Sequence, residues 1–347
     1  MENCKALFIF AVLLLWPWPA QGQPISDWEK YKKDFISSDG RIIDFSQNRM
    51  SHSEGQGYGM LLAAIHGDAS TFSSLCKWTQ DNLRVRKRDS LHGWRWGRRP
   101  NGQWTVEDYN NATDGDVLIA WALLRAAKKW NKEEYRLEAQ SVLESIRKHL
   151  LVERKNMLYV LPGYFGFAQN EEAIILNPSY LILSAFKEFA EVEEPEIWKR
   201  VHEDSLDLLK RTQFGRLKLP ADWVQVNHGT ISIFEKRSRF FGYEAIRIPL
   251  HLVWDGHLNI LPGCRAILDV YKKLGYVPLK FDLLLNSISL EEAPGGYYAV
   301  YARVAQEIGE GELGRSLWNR AQEKIRGEKE DYYSRTLYLL SQGTWKP

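Results

Sequence analysis

The feature that most limits what this chain can fold into is an apolar spacing of three and four residues, recurring from residue 55 to residue 342 without a Pro/Ser-rich linker or a low-complexity tract. Side chains at that spacing share one face of a helix, as Leu118, Ala122, Leu123 and Ala126 do, and Tyr333, Leu337 and Leu340. The pattern predicts helices near 55–67, 72–83, 115–130, 133–150, 178–192, 195–212, 244–254, 258–274, 281–290, 296–308, 311–326 and 330–342. Breaks fall at Pro162-Gly163, Asn177-Pro178, Pro262-Gly263 and Pro294-Gly295-Gly296, residues that punctuate helices. Strand-like sequence is sparse, chiefly Met157 to Leu161 and Gly229 to Phe234. About a dozen helices joined by short turns make an all-α chain of stacked helical hairpins. A ring of such hairpins closes on itself and leaves a cleft at its loop ends, although a bundle or an open solenoid shares the periodicity.

Residues 1–22 form a separate unit: Lys5 ends a polar start, an apolar run extends from Ala6 to Trp18, and the small residues Ala20 and Gly22 follow. This is the pattern of a secretory signal cleaved after Gly22, too short for a comfortable membrane span. A secreted or periplasmic chain of about 325 residues is expected, folding as one domain over 23–347. Cys4 precedes the apolar run, so processing leaves Cys76 and Cys264. Two cysteines make no disulfide framework, and buried free thiols are expected. The balance of 46 basic and 44 acidic residues argues against a nucleic-acid partner. A local basic stretch, Arg84, Arg86, Lys87 and Arg88 followed by Trp94, Arg95, Trp96, Arg98 and Arg99, reads as a solvated loop beside a ring platform for sugars. The histidines, among them His92, His228, His251 and His257, never fall at zinc-ligand spacing with Cys or Glu, so neither a metal nor an organic cofactor is expected.

The chemistry concentrates where acids adjoin glycines and rings. In Ser53-Glu54-Gly55-Gln56-Gly57-Tyr58-Gly59-Met60, Ser53 and Gln56 have the spacing of a capping box, which places Glu54 in the first turn of a helix. The helix dipole there favours an ionised acid. A proton donor at this position therefore requires an opposing cause, such as burial against Tyr58 or a second carboxylate. Glycine costs about 1 kcal/mol relative to alanine within a helix, and close approach of a bulky ligand is a reason to accept three of them. Thr113-Asp114-Gly115-Asp116 repeats the arrangement at a second helix start, with Tyr109 and Trp121 nearby, although Thr113 or Asp114 could simply cap that helix. Glu244 and Arg247 lie three residues apart after Gly242 and Tyr243, the spacing of an internal ion pair. The 14 Trp and 16 Tyr residues suit a carbohydrate ligand, since rings stack on sugar faces.

These segments together resemble glycoside hydrolase family 8, specifically the secreted β-1,4-glucanases that accompany bacterial cellulose synthases. The resemblance is carried by residues 53–60, Trp94-Arg95-Trp96-Gly97, Ala112 to Trp130, Asn177-Pro178-Ser179-Tyr180, Asp222-Trp223-Val224, Gly242 to Arg247 and Gln342-Gly343. It implies an (α/α)6 barrel and hydrolysis of a β-1,4-linked polysaccharide with inversion at the anomeric carbon, with the cellulose synthase export machinery as a candidate partner. Glu54 matches the family's proton donor, and Asp114 the central aspartate that holds the distorted sugar. Position 244, where many members carry the water-activating aspartate, is glutamate here. An inverting pair leaves roughly 6.5–9.5 Å for water, a space the extra methylene would enter unless the backbone retreats or the side chain folds; Glu244 is the first candidate base and Asp114 the runner-up, with Asp116 and Asp222 behind. Tyr58, Trp94, Trp96, Asp116, Tyr180, Asp222, Trp223, Tyr243 and Arg247 are the expected substrate-binding residues. Xylan, mixed-linkage glucan and chitosan are rival substrates. Rival functions are a uronate lyase, which an arginine-rich cleft around Arg95 and Arg98 would favour, and a non-catalytic glucan-binding protein.

Overall fold

The computed structural model describes residues 26–170 and 173–342; the expected signal segment 1–22, Cys4 and Gly343 lie outside the described residues. Twelve α-helices are present among the described residues: α1 (Asp27–Phe35), α2 (Ser53–His66), α3 (Ala69–Leu83), α4 (Thr113–Trp130), α5 (Glu133–Leu150), α6 (Leu183–Phe189), α7 (Pro195–Arg211), α8 (Arg247–Asp255), α9 (Gly263–Leu274), α10 (Gly295–Glu307), α11 (Gly311–Ile325) and α12 (Tyr332–Gln342). Their sequences fall into two kinds, and that difference sets the architecture. The even-numbered helices are covered nearly all round: every residue of α8 is buried, and α4 is buried continuously from Thr113 to Leu124. A helix apolar on every side must sit inside. The odd-numbered helices bury one stripe only, as α7 does with Trp198, Val201, His202, Ser205, Leu208 and Leu209.

Contacts between the even helices run α2 to α4, α4 to α6, α6 to α8, α8 to α10, α10 to α12 and back from α12 to α2. Around this closed inner ring α3 packs on α2, α5 on α4, α7 on α6, α9 and α11 on α10, and α1 on α12. This is the (α/α)6 barrel. First and last helices are joined by burial of Trp28, Tyr31 and Phe35 and by a 2.8 Å hydrogen bond between Tyr31 Oη and Thr336 Oγ1. Short antiparallel strands edge the barrel. Ser51–His52 pairs with Arg95–Arg98, which pairs with Trp104–Asp108, and Val224–Asn227 lies between Ala173–Leu176 and Thr230–Ile233.

The helix expected over 281–290 is instead a strand pair, Phe281–Asp282 against Ser287–Ile288. Asp282 Oδ1 takes the backbone N–H groups of Leu284 and Leu285, and Asn286 adopts a φ of 54°; an aspartate that captures nearby amides offers the backbone a turn in place of a helix. Helix α1 was not among the expected helices, although Trp28, Tyr31 and Phe35 carry the spacing. The stretch 178–192 divides into a 3-10 turn at Pro178–Tyr180 and α6, and 258–274 into a turn at Leu258–Ile260 and α9. Cys76 and Cys264 are both free and buried. No helix among the described residues is long and apolar enough to cross a membrane.

Candidate active site

The site begins where the inner helices begin. The strand Ser51–His52 leads into α2, and the Ser53 amide donates to Trp94 O at 3.0 Å, tying the start of α2 to the neighbouring strand. The cap is His52, whose Nδ1 accepts from Gly55 N at 3.0 Å, and the capping box expected of Ser53 and Gln56 does not form. Gln56 turns away from Ser53. Its Oε1 accepts from Ile42 N at 2.6 Å and its Nε2 donates to Thr79 Oγ1 at 3.0 Å.

The glycines serve helix contact, which corrects the expectation that they admit a ligand. A Cβ on Gly57 would lie 2.6 Å from Leu118 Cβ, and one on Gly115 would lie 2.2 Å from Ser53 Oγ and 2.7 Å from Glu54 N. Their absence of side chains lets α2 and α4 touch at their first turns and brings Glu54 beside Asp114.

Arg247, the first residue of α8, completes the cluster. Its Nη1 donates to Glu54 Oε1 and, at 2.9 Å, to Asp114 Oδ2; its Nη2 donates to Glu244 Oε2 and, at 2.7 Å, to Ser179 Oγ. Asn177 Nδ2 donates to Glu244 Oε2 at 3.2 Å. Glu244 lies in the turn before α8, and its pairing with Arg247 is at a buried guanidinium, not at the surface. Three carboxylates thus share one cation. Burial pushes Asp114 up to about 7, the Glu54 charge adding to the effect and Arg247 opposing it. Burial likewise raises Glu244 above the ordinary carboxylate range, against the pull of Arg247. Both shifts have the expected cause, since removing water disfavours the charged form.

Asp116 and Asp222, expected as substrate contacts and as further candidate bases, have their carboxylate oxygens engaged by protein groups. Asp116 is wholly buried, its Oδ1 taking His92 N at 3.0 Å and lying 2.8 Å from His92 Nδ1, while its Oδ2 takes Asn111 Nδ2 at 2.9 Å. Asp222 Oδ1 accepts from Gly242 N at 3.0 Å and Ala245 N at 2.9 Å, and Oδ2 from Ser238 Oγ at 2.8 Å, so it shapes the turn that presents Glu244. Tyr58 is buried with its hydroxyl against Arg247.

Among the rings, Tyr243 is half exposed and stacks on Tyr333 at 4.3 Å, and Tyr180 lies under the Arg247 guanidinium at 5.5 Å. Trp223 is nearly buried, parallel to Phe167 at 5.9 Å and covered by Arg237 at 4.2 Å. Trp94 and Trp96 flank the strand beside Glu54; Trp94 Nε1 donates to Asp108 Oδ2 at 2.8 Å, and Trp96 stacks on Trp104 at 5.0 Å. Within the basic stretch Arg84 pairs with Glu138, Arg86 with Asp89 and Arg95 with Glu107, so the Arg95 guanidinium that a uronate would need already faces an acid.

Sequence comparison decides the family: the profile of glycosyl hydrolases family 8 matches residues 4–346. The chain belongs to glycosyl hydrolase family 8. An endoglucanase of Cellulomonas uda is 37% identical over 275 residues, covering 79% of this chain and 75% of that protein. The crystal structure of a family 8 endoglucanase from Klebsiella pneumoniae superposes with a TM-score of 0.80 at 35% identity, covering 91% of this chain and 97% of that one. An endo-β-1,4-glucanase from Acetobacter xylinum superposes with a TM-score of 0.80 at 32% identity, covering 91% and 95%. The family 8 enzyme described here is therefore a glycoside hydrolase on the barrel its sequence implied. The residues that reasoning from sequence left out of the site are Asn177, Ser179, His52 and Tyr333. The first two were visible in the Asn177-Pro178-Ser179-Tyr180 motif. His52 enters as the local cap of α2, 3.8 Å from Glu54 Oε2, and Tyr333 through tertiary contact alone.

Proposed function

We propose that this enzyme hydrolyses β-1,4-glucan at internal bonds with inversion of the anomeric carbon, Glu54 acting as acid, Glu244 as base and Asp114 as the group that holds the sugar at the point of cleavage. The observation that carries the reading is the convergence of the three carboxylates on Arg247. Access separates their roles. Glu54 and Glu244 keep 19% and 28% of their side chains open, whereas Asp114 keeps 4%, too little for a base that must meet water as well as sugar. Asp114, pushed up to about 7 by burial and by the Glu54 charge, keeps a proton near neutrality beside Glu54 and is the supply from which the leaving oxygen is protonated. Glu244, made more basic by burial, takes the proton of the attacking water. The C–O bond to the leaving sugar breaks as the bond from water forms on the opposite face, so the product anomer is inverted. Half-exposed Tyr243 offers a face for a pyranose ring.

The endoglucanases among the relatives support glucan as the substrate. With the signal pattern of residues 1–22, the reading extends to a secreted or periplasmic enzyme that trims cellulose during its synthesis or export. Proton NMR of cellohexaose digestion tests the chemistry: α-anomer is expected in the first product, and initial β-anomer overturns inversion. Glu54→Gln is expected to fold normally and lose cleavage of a soluble cellulose derivative. A panel including xylan, mixed-linkage glucan and chitosan tests the substrate, and faster cleavage of one of those overturns glucan. Cell fractionation tests location.

A further inference from the structure

At the end of the barrel away from the carboxylates, α8 finishes in Asp255, whose side chain is fully buried. Helix α8 starts at Arg247, and at 1.5 Å per residue its ends stand about 12 Å apart, so this region is separate from the active site. Two imidazoles meet the Asp255 carboxylate there: His202 Nε2 from α7 lies 3.0 Å from Oδ2, and His257 Nδ1 from the following turn lies 2.6 Å from the same oxygen. The three atoms all lie within 4.8 Å of one another. On the other side Lys187 Nζ, from α6, is 2.8 Å from Asp255 Oδ1.

We propose that His202, Asp255 and His257 bind a divalent transition-metal ion, Zn²⁺ being the best match, as a structural clamp on the closed end of the barrel. Two imidazole nitrogens and one carboxylate oxygen are a zinc donor set. Ligand bonds of about 2.0–2.2 Å put neighbouring donors roughly 3.3–3.5 Å apart, so about 1 Å of side-chain adjustment forms the site. Lys187 fits the arrangement as an outer partner: it holds Oδ1 and leaves Oδ2 to the ion, as hydrogen-bond donors commonly do for ligating carboxylates. Entry is open, because His257 borders a surface pocket of about 640 Å³. A bound ion would tie α7 to the end of α8, two helices from different hairpins of the ring. Spacing in the sequence could not reveal the set, since His202 is 53 positions from Asp255 and the cluster exists only after folding.

Untagged full-length protein, stripped with a chelator and dialysed, is titrated with Zn²⁺ by calorimetry and with Co²⁺ by visible absorption. One equivalent of Zn²⁺ is expected to bind and raise Tm, and Co²⁺ to give the ligand-field bands of a low-symmetry nitrogen and oxygen site. His257→Asn, at a partly exposed position, is expected to fold and to weaken Zn²⁺ binding by about tenfold or more, with His202→Asn as the second variant. No binding by the wild-type protein overturns the proposal, as does binding that both variants leave unchanged.

Discussion

Arg247 sets the charge balance of the site, because a single buried guanidinium faces Glu54, Asp114 and Glu244, and three ionised acids would leave two charges without a partner. The balance predicts the pH profile. Activity is expected to fall as pH rises through about 7, where Asp114 gives up its proton. It is expected to fall again on the acid side when Glu244 protonates, at a pH above the ordinary glutamate value because burial raises it. A kcat profile flat across neutrality would contradict this account. The same shift carries a stability consequence. The folded-state value of Asp114 lies above its ordinary 3.8, so its contribution is intact below that value and is lost as pH climbs toward 7. Asp114→Asn is therefore expected to inactivate the enzyme yet gain on the order of 1 kcal/mol, about 2 °C in Tm, at pH 8 and less at pH 5. Thermal melts at the two pH values check it. The base is tested separately: Glu244→Ala should lose about 10²–10⁴-fold in kcat and recover in part with azide, giving a glycosyl azide, whereas Asp114→Ala should not recover. Sequence exposed these acids because each stands beside Gly or an aromatic residue at a helix start. It could not separate them from Asp116 and Asp222, whose oxygens are engaged by His92, Asn111, Ser238 and backbone amides that only folding brings near.

Helices α2 and α4 make the acid pair possible, and their glycines explain how. With Gly115 against Ser53 and Gly57 against Leu118, the first turns approach more closely than side chains allow, so Glu54 and Asp114 reach the same guanidinium nitrogen. Gly115→Ala would place a methyl 2.2 Å from Ser53 Oγ and 2.7 Å from Glu54 N, and backbone cannot yield as the tip of a flexible side chain does. The variant is expected to lose about 1–3 kcal/mol, and its kcat should fall by more than its KM rises, because the acid is displaced while the sugar-stacking rings stay in place. Denaturant titration and steady-state kinetics on a soluble glucan measure the two effects. The glycine pattern was plain in the sequence; its purpose was not, since close approach of a ligand and of another helix impose the same demand for a missing Cβ. A similar ambiguity lies behind the hairpin at 281–290: Leu283, Leu284 and Leu285 suggest a helix, while Asp282 captures the amides that the helix would have needed.

Across the whole molecule, the apolar period made the helices legible but not their closure, which depends on contacts between residues near opposite ends of the chain. The ring is sealed where α12 meets α2 and α1 and where Tyr31 bonds Thr336, and nothing local in either segment encodes that partner. Closure changes how the protein should fail. In an open stack of hairpins each unit leans on its neighbours alone, and removing the last one costs roughly one interface. Here, removing α12 exposes the buried faces of α2 and α10 together and also strips α1 of its partner. A chain ending at Asp331 is therefore expected to lose the cooperative transition altogether, while the full-length protein, prepared with any metal removed, should unfold in one step with tryptophan fluorescence and activity falling together. Denaturant titration of both proteins decides the matter: a truncated chain that keeps a sharp transition at somewhat lower denaturant would show that the barrel behaves as an open stack.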